Sequence, residues 1–244
     1  AFFTTDNSPI PSNFISAIHQ DKDGVYWFGA YPYGTSGSGL ARFDGVNWEI
    51  FNTANSGLPD NIIFDITSDN ANNLWVATPK GAVKYNGTDW TLFNANNSGL
   101  PDDNVYTITV EDDNFIWFGM NYHGLVKYDG TNWEIFDTNN SLLQSNEISF
   151  IVIDDQNVKW IGTWRGGLCF YDDNTWQQVS HQNFLNYPSE VYSLVIDYNN
   201  ALWVTATGTG SNNVHLGKYL DNQWTLFDSV TSGFKFVPGF GGIT

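Results

Sequence analysis

A six-residue motif recurs five times along the chain, with an aromatic residue first, turn-forming residues in the middle and tryptophan at the end of every copy. The copies read FDGVNW, YNGTDW, YDGTNW, YDDNTW and YLDNQW, and their tryptophans are Trp48, Trp90, Trp133, Trp176 and Trp224. The spacing is about 43 residues, and periods of about 40–50 residues are typical of propellers and of some helical arrays. The 244-residue chain is therefore predicted to be an array of five similar units.

One unit consists of four short segments with the composition of β-strands. Residues 61–100 contain the runs IIFDIT, LWVAT, AVKY and WTLF, which are rich in β-branched and aromatic residues and are too short for helices. Asn- and Gly-rich turns separate them. We name the four strands a, b, c and d in chain order. Four-stranded sheets repeated radially make a propeller, so the sequence predicts an all-β fold, a five-bladed β-propeller of four-stranded antiparallel blades.

The repeat also predicts where the blades begin and end. We expect a single domain over residues 1–244, with blades at about 12–58, 59–100, 101–143, 144–186 and 187–230 and with closing segments at 1–11 and 231–244. The segment FTTDNSPIP at 3–11 matches FNTANSGLP at 51–59, which follows a strand d. Residues 3–11 would either add an edge strand to the last blade or lead into the first blade.

Two further positions repeat in all five copies. Strand b carries a tryptophan in each copy: Trp27, Trp75, Trp117, Trp160 and Trp203. An aspartate follows the start of strand a by eight residues: Asp21, Asp69, Asp112, Asp154 and Asp197. We interpret these aspartates as turn or strand-end residues, because an EF-hand loop needs alternating oxygen ligands and a late glutamate that are missing here. Trp164 is the one tryptophan outside the repeat positions.

The full pattern is N-x-I-x-x-I-x-x-D-x-x-G/N-x-x-W-x-G-x-x-x-G-L-x-x-Y-D-G-x-x-W-x-x-F, and it resembles the two-component regulator propeller repeat over about residues 12–230. In that family such repeats form extracellular sensor regions of bacterial hybrid sensor kinases, many of which detect glycan fragments. The resemblance implies an extracellular or periplasmic sensor-type propeller. Those sensors have two long propellers, a further β-domain, a membrane helix and kinase modules, which the printed sequence lacks. A lone five-bladed propeller also resembles the tachylectin-type lectins in size and architecture.

Composition excludes several classes of partner. Nine Lys and Arg residues against 26 Asp and Glu give a net charge of −17, which disfavours binding to nucleic acid or to anionic membranes. No run of 18 apolar residues is present, so no membrane span is predicted. The four histidines lack metal-ligand spacing, and no cofactor or metal is expected. Cys169 is the only cysteine, and in GLCFY we interpret it as a small buried hydrophobic residue.

The b–c and d–a connections differ most between copies, and both lie at the same end of an up-and-down blade. Three cationic side chains in b–c loops precede a loop glycine: Lys80, His123 and Arg165. Four aromatic side chains in these loops lie outside the repeat positions: Tyr31, Tyr33, Tyr122 and Trp164. Aromatic faces cover the C–H face of a sugar and polar groups bind its hydroxyls, so these seven residues are the predicted site for a saccharide or other small ligand. We expect it toward copies three, four, five and one. Packing against neighbouring loops is the alternative.

The same end of the repeat holds the best carboxylate pair for catalysis. Glu147 and Glu190 begin strand a in adjacent copies, where our alignment of the other copies gives Phe14, Ile62 and Val105. A glycosidase needs two carboxyl groups about 5–9.5 Å apart. We predict a non-enzymatic ligand-binding propeller. A propeller that docks a partner protein, and a polysaccharide hydrolase or lyase that uses Glu147 and Glu190, are the alternatives.

Overall fold

The computed structural model describes residues 3–31, 39–112, 115–179, 189–207 and 214–227. In these ranges every helix or strand assigned is a β-strand, and the strands form five four-stranded sheets, each hydrogen-bonded in chain order. This confirms the predicted fold class, all-β with five propeller blades of four antiparallel strands. Across the described ranges, no helix is long and apolar enough to cross a membrane.

Each of the first three blades consists of four consecutive strands. The first blade contains β1 to β4, at Ile15–Gln20, Tyr26–Ala30, Leu40–Phe43 and Trp48–Phe51. The second contains β5 to β8, at Asp65–Ser68, Leu74–Thr78, Gly81–Tyr85 and Trp90–Phe93. The third contains β9 to β12, at Val105–Glu111, Phe115–Met120, Leu125–Tyr128 and Trp133–Phe136.

The fourth and fifth blades repeat the same order. The fourth contains β13 to β16, at Ile148–Ile153, Lys159–Thr163, Gly167–Tyr171 and Trp176–Val179. The fifth contains β17 to β20, at Val191–Ile196, Leu202–Thr207, Val214–Leu220 and Gln223–Phe227. The assignment of the whole chain to a single domain stays a prediction, and the expected closing segment at 231–244 lies outside the described residues.

The recurring six-residue motif forms the c–d hairpin, whose first and last residues stack on each other. Ring centroids of these pairs lie 4.5 Å apart for Phe43 and Trp48, 4.3 Å for Tyr85 and Trp90, and 4.1 Å for Tyr128 and Trp133. The polar residues between them close the turn. In the first blade, Asp44 Oδ1 accepts hydrogen bonds from the backbone N–H groups of Val46 and Asn47 at 2.9 and 2.7 Å. The predicted turn role of this aspartate is confirmed.

A carboxylate closes the a–b hairpin and also holds the strand-b tryptophan. Asp21 Oδ1 accepts hydrogen bonds from the backbone of Asp23 and Val25 at 3.0 Å each, and its Oδ2 accepts one from Trp27 Nε1 at 2.9 Å. The equivalent indole-to-carboxylate bonds are Trp75 to Asp69, Trp160 to Asp154 and Trp203 to Asp197. These four aspartates have the predicted structural role.

In the third blade, the structure shifts our alignment of strand a with the other copies by one residue. Trp117 Nε1 donates to Glu111 Oε2 at 2.5 Å, so Glu111 and not Asp112 is the equivalent carboxylate. Asp103 accepts from a backbone N–H in the preceding loop at 2.9 Å, as Asn61 and Asn146 do in the second and fourth blades. The residue after it is Asn104, not Val105. The alignment was wrong because Asp103 and Asn104 both suit this capping position, and only hydrogen bonding distinguishes them.

The structure divides into two compact units, which we call the first and second units. The first comprises Ala1–Met120 and Val126–Glu134, and the second comprises Asn121–Leu125 and Ile135–Thr244. In each unit the hydrophobic core fills the seam between consecutive blades. One core of the first unit joins strand-b residues of two blades, with Trp27 and Val76 both buried. The core of the second unit likewise includes Trp160 and Val204. Burial at the seams accounts for the recurrence of strand-b tryptophans.

The N-terminal segment repeats the loop that follows strand d. Asn7 and Ser8 donate backbone hydrogen bonds to the Thr4 oxygen at 3.2 and 3.0 Å, as Asn55 and Ser56 donate to Asn52. The ring of Phe3 lies 5.4 Å from that of Phe43 and 5.3 Å from that of Trp48, measured between centroids. Phe51 and Phe136, at the ends of strands d, make the same contacts with the next blade, so these contacts fit both alternatives for residues 3–11.

Candidate functional site

Loop glycines tie b–c loops to the blade that follows. Gly124 and Gly167 have φ values of +79° and +73°, in the left-handed region that favours glycine. Their N–H groups donate to the backbone oxygens of Asn146 and Ser189, each at 2.9 Å. Ser189 directly precedes Glu190. The b–c loop of the fourth blade is therefore fixed beside the first residues of the fifth.

Trp164 lies in that b–c loop and contacts both blades. Its backbone N–H donates to the Glu147 oxygen of its own blade at 2.9 Å. Its half-buried ring packs edge-on against Tyr192 of the fifth blade, with centroids 5.5 Å apart and planes at 74°. Trp164 thus contacts residues of the fourth and fifth blades, all of them in the second unit.

Tyr192 connects this ring pair to Glu190. The pairing register of β17 shifts between Val191 and Ser193, which leaves Tyr192 at a β-bulge. The first, third and fourth blades shift register at the equivalent residue, so the bulge belongs to the repeat and re-aims the side chain at this position. The Tyr192 hydroxyl donates to Glu190 Oε2 at 2.7 Å. Burial and the Glu190 carboxylate disfavour the phenolate and raise the pKa of Tyr192 to about 12, so the hydroxyl keeps its proton at neutral pH.

Arg165 places a positive charge next to Trp164. Its φ of +71° lies in the left-handed region, which residues with a side chain rarely adopt. A guanidinium nitrogen lies 3.7 Å from Glu147 Oε2, and the side chains are 70% and 19% exposed. An ion pair this open is weak, typically below about 1 kcal/mol. Most of the guanidinium therefore faces solvent and is accessible to a ligand.

The four side chains around Trp164 supply the chemistry that recognises hydroxyl-rich molecules. The Trp164 and Tyr192 rings offer apolar surface, Glu190 and Glu147 are acceptors, and Arg165 is a donor. The two candidate catalytic carboxylates each have a partner, the Tyr192 hydroxyl for one and the Arg165 guanidinium for the other. This arrangement suits ligand binding.

Arg165 does not occupy the loop position that the sequence assigned to it. Thr163 pairs with Gly167 in the β14–β15 ladder, as Thr78 pairs with Gly81 in the β6–β7 ladder. Arg165 therefore lies two residues before its ladder glycine, whereas Lys80 directly precedes Gly81. The prediction that all three cations share one position was wrong, because two consecutive glycines in GTWRGG allow two alignments.

The remaining predicted cations and Tyr122 have different surroundings. Tyr122 is 63% exposed and His123 is also exposed, both in the b–c loop of the third blade within the second unit. Lys80 belongs to the first unit, where its Nζ lies 3.0 Å from Asp60 Oδ2. Ligand contact by Tyr122, His123 and Lys80 stays a prediction.

Tyr31 belongs to an aromatic row of the first unit. Its ring lies 6.2 Å from that of Phe64, which lies 5.1 Å from that of Tyr106. Burial raises the pKa of Tyr106, with smaller effects from Tyr31 and Asp65. Tyr31 is 48% exposed and ends this row at solvent. Tyr33 lies outside the described residues.

Tyr192, Phe64 and Tyr106 were missed by sequence reasoning. They share one position of the repeat, at or next to the start of strand a, where the five blades carry Ser16, Phe64, Tyr106, Ser149 and Tyr192. The sequence carries a signal at this position, because three blades have an aromatic residue there and two have serine. The same register shift occurs at this position in the first, third and fourth blades, so the bulge at Tyr192 is a feature of the repeat.

Cys169 and the described histidines form neither a reactive thiol nor a metal cluster. Cys169 is buried, and burial raises the pKa of its thiol to about 12, which keeps it protonated and unreactive. Within the part of the chain that the structure describes, no three His, Cys, Asp or Glu side chains are grouped to hold a metal ion.

A model of the two component regulator propeller family matches residues 9–31 and 57–80. These matches cover the starts of the first two repeats and confirm that the chain carries repeats of this family. No curated protein matches the chain.

Solved structures share the fold at low sequence identity. The extracellular domain of a protein from B. thetaiotaomicron described as a one component system is 23% identical, with TM-score 0.69 over 87% of this chain and 27% of that one. The extracellular domain of a hybrid two component system from the same organism is 21% identical, with TM-score 0.68 over 88% of this chain and 30% of that one. Virginiamycin B lyase from Staphylococcus aureus is 14% identical, with TM-score 0.65 over 90% of this chain and 71% of the lyase chain. The chain thus spans less than a third of the first two.

Proposed function

We propose that this protein is a non-enzymatic recognition module of an extracellular or periplasmic sensor, and that it binds a saccharide at the loop end of the fourth and fifth blades. The contact residues are Trp164, Tyr192, Glu190, Arg165 and Glu147. The observation that carries the proposal is the edge-on packing of Trp164 on Tyr192, whose hydroxyl is bonded to Glu190. An aromatic surface is thereby fixed beside carboxylate acceptors.

Geometry and charge together favour a neutral or mildly acidic saccharide. The C–H face of a pyranose packs on an aromatic ring, and its hydroxyls donate to carboxylates such as Glu190 and accept from a guanidinium. Arg165 is 70% exposed and would accommodate one carboxylate of a ligand. A polyanion is disfavoured, because the net charge of −17 repels it.

The similar solved structures and the repeat family support a sensor role. Two of the similar structures are extracellular domains, one from a one component system and one from a hybrid two component system. The chain also carries repeats of the two-component regulator propeller type. Identity at or below 23% carries the fold alone, so the assignment of a sensor role and an extracellular location to this chain is our inference.

Catalysis is the alternative, because a lyase shares the fold and Glu147 and Glu190 remain at the loop end. Each carboxylate already has a partner that suits an ionised acceptor, Arg165 beside Glu147 and the Tyr192 hydroxyl on Glu190. We therefore favour binding without turnover. A partner protein at this end is the other alternative.

The proposal is tested by applying the purified chain to a glycan array and measuring the affinity of each hit by calorimetry. Trp164→Ala should weaken binding of a hit by about 1–3 kcal/mol, as expected for the loss of one aromatic contact. Tyr198→Ala is the matched control, because Tyr198 is a 96% exposed aromatic residue on the a–b hairpin of the fifth blade. It should leave the affinity unchanged.

Three outcomes decide between the alternatives. Saccharide hits weakened by Trp164→Ala alone, with no products released from the corresponding polysaccharides, support the proposal. Product release that Glu190→Gln abolishes would establish an enzyme. Hits that survive Trp164→Ala, or an array without any hit, would contradict saccharide recognition at Trp164.

A further inference from the structure

The hairpin ends of the blades carry a cleft that recurs at successive seams. In the first unit, the cleft between the first and second blades has a volume of about 460 Å³ and contains Trp27 and Arg42. The cleft between the second and third blades has about 280 Å³ and contains Trp75 and Lys84. In both, a strand-b tryptophan and its cross-strand cation from strand c line the cleft together.

The cation has a defined place in this arrangement. Lys84 Nζ lies 5.3 Å from the centroid of Trp75 and 3.6 Å from Asp69 Oδ2, the carboxylate that also holds the Trp75 indole. An ammonium over an aromatic face and beside a carboxylate is favourable on both counts. Other blades repeat it, with Lys127 5.0 Å from the Trp117 centroid and Lys218 5.1 Å from the Trp203 centroid.

The fourth blade departs from this rule. The cross-strand partner of Trp160 is Phe170 instead of Lys or Arg. The two ring centroids lie 4.9 Å apart, and Tyr219 of the fifth blade lies 5.3 Å from Trp160 on another side. Asp154 still accepts the indole hydrogen bond at 2.9 Å, so the tryptophan and carboxylate are kept while the cation is missing.

The cleft at this seam is larger and more acidic than its counterparts. It has a volume of about 570 Å³, within the range of about 300–1,000 Å³ usual for small-molecule sites. Its rim carries Asp154, Asp155 and Asp221, and its described lining contains no lysine or arginine. The buried Lys159 is not part of the lining, because Asp173 holds its Nζ at 2.5 Å.

We propose that this cleft is a second binding site, separate from the loop-end site, for a ligand that carries a primary ammonium group. The ligand's ammonium lies beside Asp154 and against the aromatic rings of the cleft, in surroundings like those of Lys84 in the second blade, while the Phe170 ring fills the position of the missing lysine side chain. Phe170 and Tyr219 cover the ligand's hydrocarbon portion.

The charge pattern selects an amine over other small molecules. An anion would meet three aspartates with no lysine or arginine in the described lining. A neutral alcohol would find acceptors but would gain nothing from the aromatic quadrupole or from the net charge of −17. The site lies at the hairpin end of the blades, so it does not depend on saccharide binding at Trp164.

The first experiment titrates the isotope-labelled chain with cadaverine and with 1,5-pentanediol, and follows indole and amide resonances by NMR. The two probes have the same length and differ in ammonium against hydroxyl ends. Cadaverine should shift the Trp160 indole resonance and the amides of Asp155 and Asn200 in a saturable manner. Pentanediol should bind at least about tenfold more weakly, because it lacks the cation–aromatic and ionic contacts.

The second experiment uses Phe170→Lys, which restores the residue type that the second and fifth blades have at this position. Its own ammonium should fill the cleft and weaken cadaverine binding by at least about tenfold. The matched control is Val46→Lys, an 82% exposed position on the first blade's c–d turn, which adds the same charge and should leave binding unchanged.

Two further probes distinguish the sources of the ammonium group. Glucosamine stands for amino sugars and Nα-acetyl-lysine amide stands for a protein side chain, and whichever shifts the Trp160 indole at the lower concentration identifies the source. The proposal is overturned if pentanediol binds as well as cadaverine, if shifts spread over acidic residues of all blades without saturation, or if Phe170→Lys binds as the unaltered chain does. The comparison of cadaverine with pentanediol needs no variant, so it decides the matter even where Phe170→Lys fails to fold.

Discussion

Glu111 accepts a hydrogen bond from the indole of Trp117 across the a–b hairpin of the third blade, with 2.5 Å between Oε2 and Nε1. Both side chains are buried, at 3% and 0% exposure. The other four blades make the same bond with aspartate, at the same separation of six residues along the chain. This bond satisfies the polar atom of a large seam residue, and it is the basis of the first two predictions.

Replacing Trp117 with alanine should lower the free energy of unfolding by about 3–5 kcal/mol, as for other large aromatic side chains removed from a core. The loss includes the seam contacts and the cation–aromatic contact with Lys127. Denaturant unfolding followed by circular dichroism measures it. Trp164→Ala is the control, and its half-buried ring should cost much less. A loss below about 1 kcal/mol for Trp117→Ala would mean that the ring is not part of the core.

Removing the carboxylate should be costly only while the indole is present. Glu111→Ala leaves the buried Trp117 N–H without its acceptor, which should cost about 1–3 kcal/mol. Glu111→Gln retains an acceptor oxygen and should cost less. In a Trp117→Phe background, Glu111→Ala should lose most of its effect, and a double-mutant cycle by chemical unfolding measures that coupling. Additive effects would show that the bond contributes nothing to stability.

The c–d turn aspartates should make the fold sensitive to acid. The backbone N–H of Asn132, with further hydrogen bonds from this turn, holds the pKa of Asp129 below its ordinary value of 3.8. The unfolded chain therefore takes up the proton first, so stability present above pH 3.8 is lost as the pH falls through 3.8 toward the folded pKa. Asp44 and Asp172 have lowered pKa values for the same reason.

The second blade supplies a natural control for this effect. Asn86 occupies the position of Asp129, and its Oδ1 accepts from the backbone of Thr88 and Asp89 at 2.9 and 2.8 Å. Asp129→Asn should therefore fold normally and match the unaltered chain at pH 7. It should lose less stability between about pH 5 and pH 2.5, measured by thermal unfolding across that range. Parallel stability curves for the two proteins would contradict the assignment.

The parts of the structure that the sequence predicts are those that repeat. Three kinds of residue recur at fixed spacing: strand-b tryptophans such as Trp75, stacked motif pairs such as Tyr85 and Trp90, and turn carboxylates such as Asp44. They recur because every blade has the same strands, turns and seam contacts. Five copies make those positions visible without any homologue. This explains why the fold class and most turn roles were predicted correctly.

The parts that the sequence did not predict depend on neighbours brought together by folding. The sequence did not identify Glu111 as the carboxylate that binds Trp117, because Asp103 and Asn104 allow two alignments. It misplaced Arg165 because the two consecutive glycines also allow two alignments, and in both cases only hydrogen bonding selects one. Tyr192 reaches Trp164 from a bulge in another blade. The Lys80 pair with Asp60 joins a b–c loop to a d–a connection. None of these relationships has a fixed sequence spacing.

The last prediction concerns the charge of the saccharide bound at Trp164. The Arg165 side chain is 70% exposed, and its guanidinium contacts a single carboxylate oxygen at the long distance of 3.7 Å. The guanidinium therefore retains donors for a ligand. Arg165→Gln should weaken binding of a uronate-containing saccharide by about 2–5-fold, since exposed ion pairs contribute at most about 1 kcal/mol. It should also reduce the salt dependence of that binding, and it should leave neutral saccharides nearly unaffected.

Lys80→Gln is the matched control for the loss of one positive charge. Lys80 is 64% exposed and paired with Asp60 in the first unit, so its removal changes the net charge equally without altering the Trp164 surroundings. Calorimetry at two salt concentrations compares the variants with a neutral and a uronate-containing oligosaccharide. If both variants weaken the acidic ligand equally, the effect arises from the overall field of the protein. If Arg165→Gln changes neither the affinity nor its salt dependence, the guanidinium does not contact the ligand and acidic saccharides are not its preferred class.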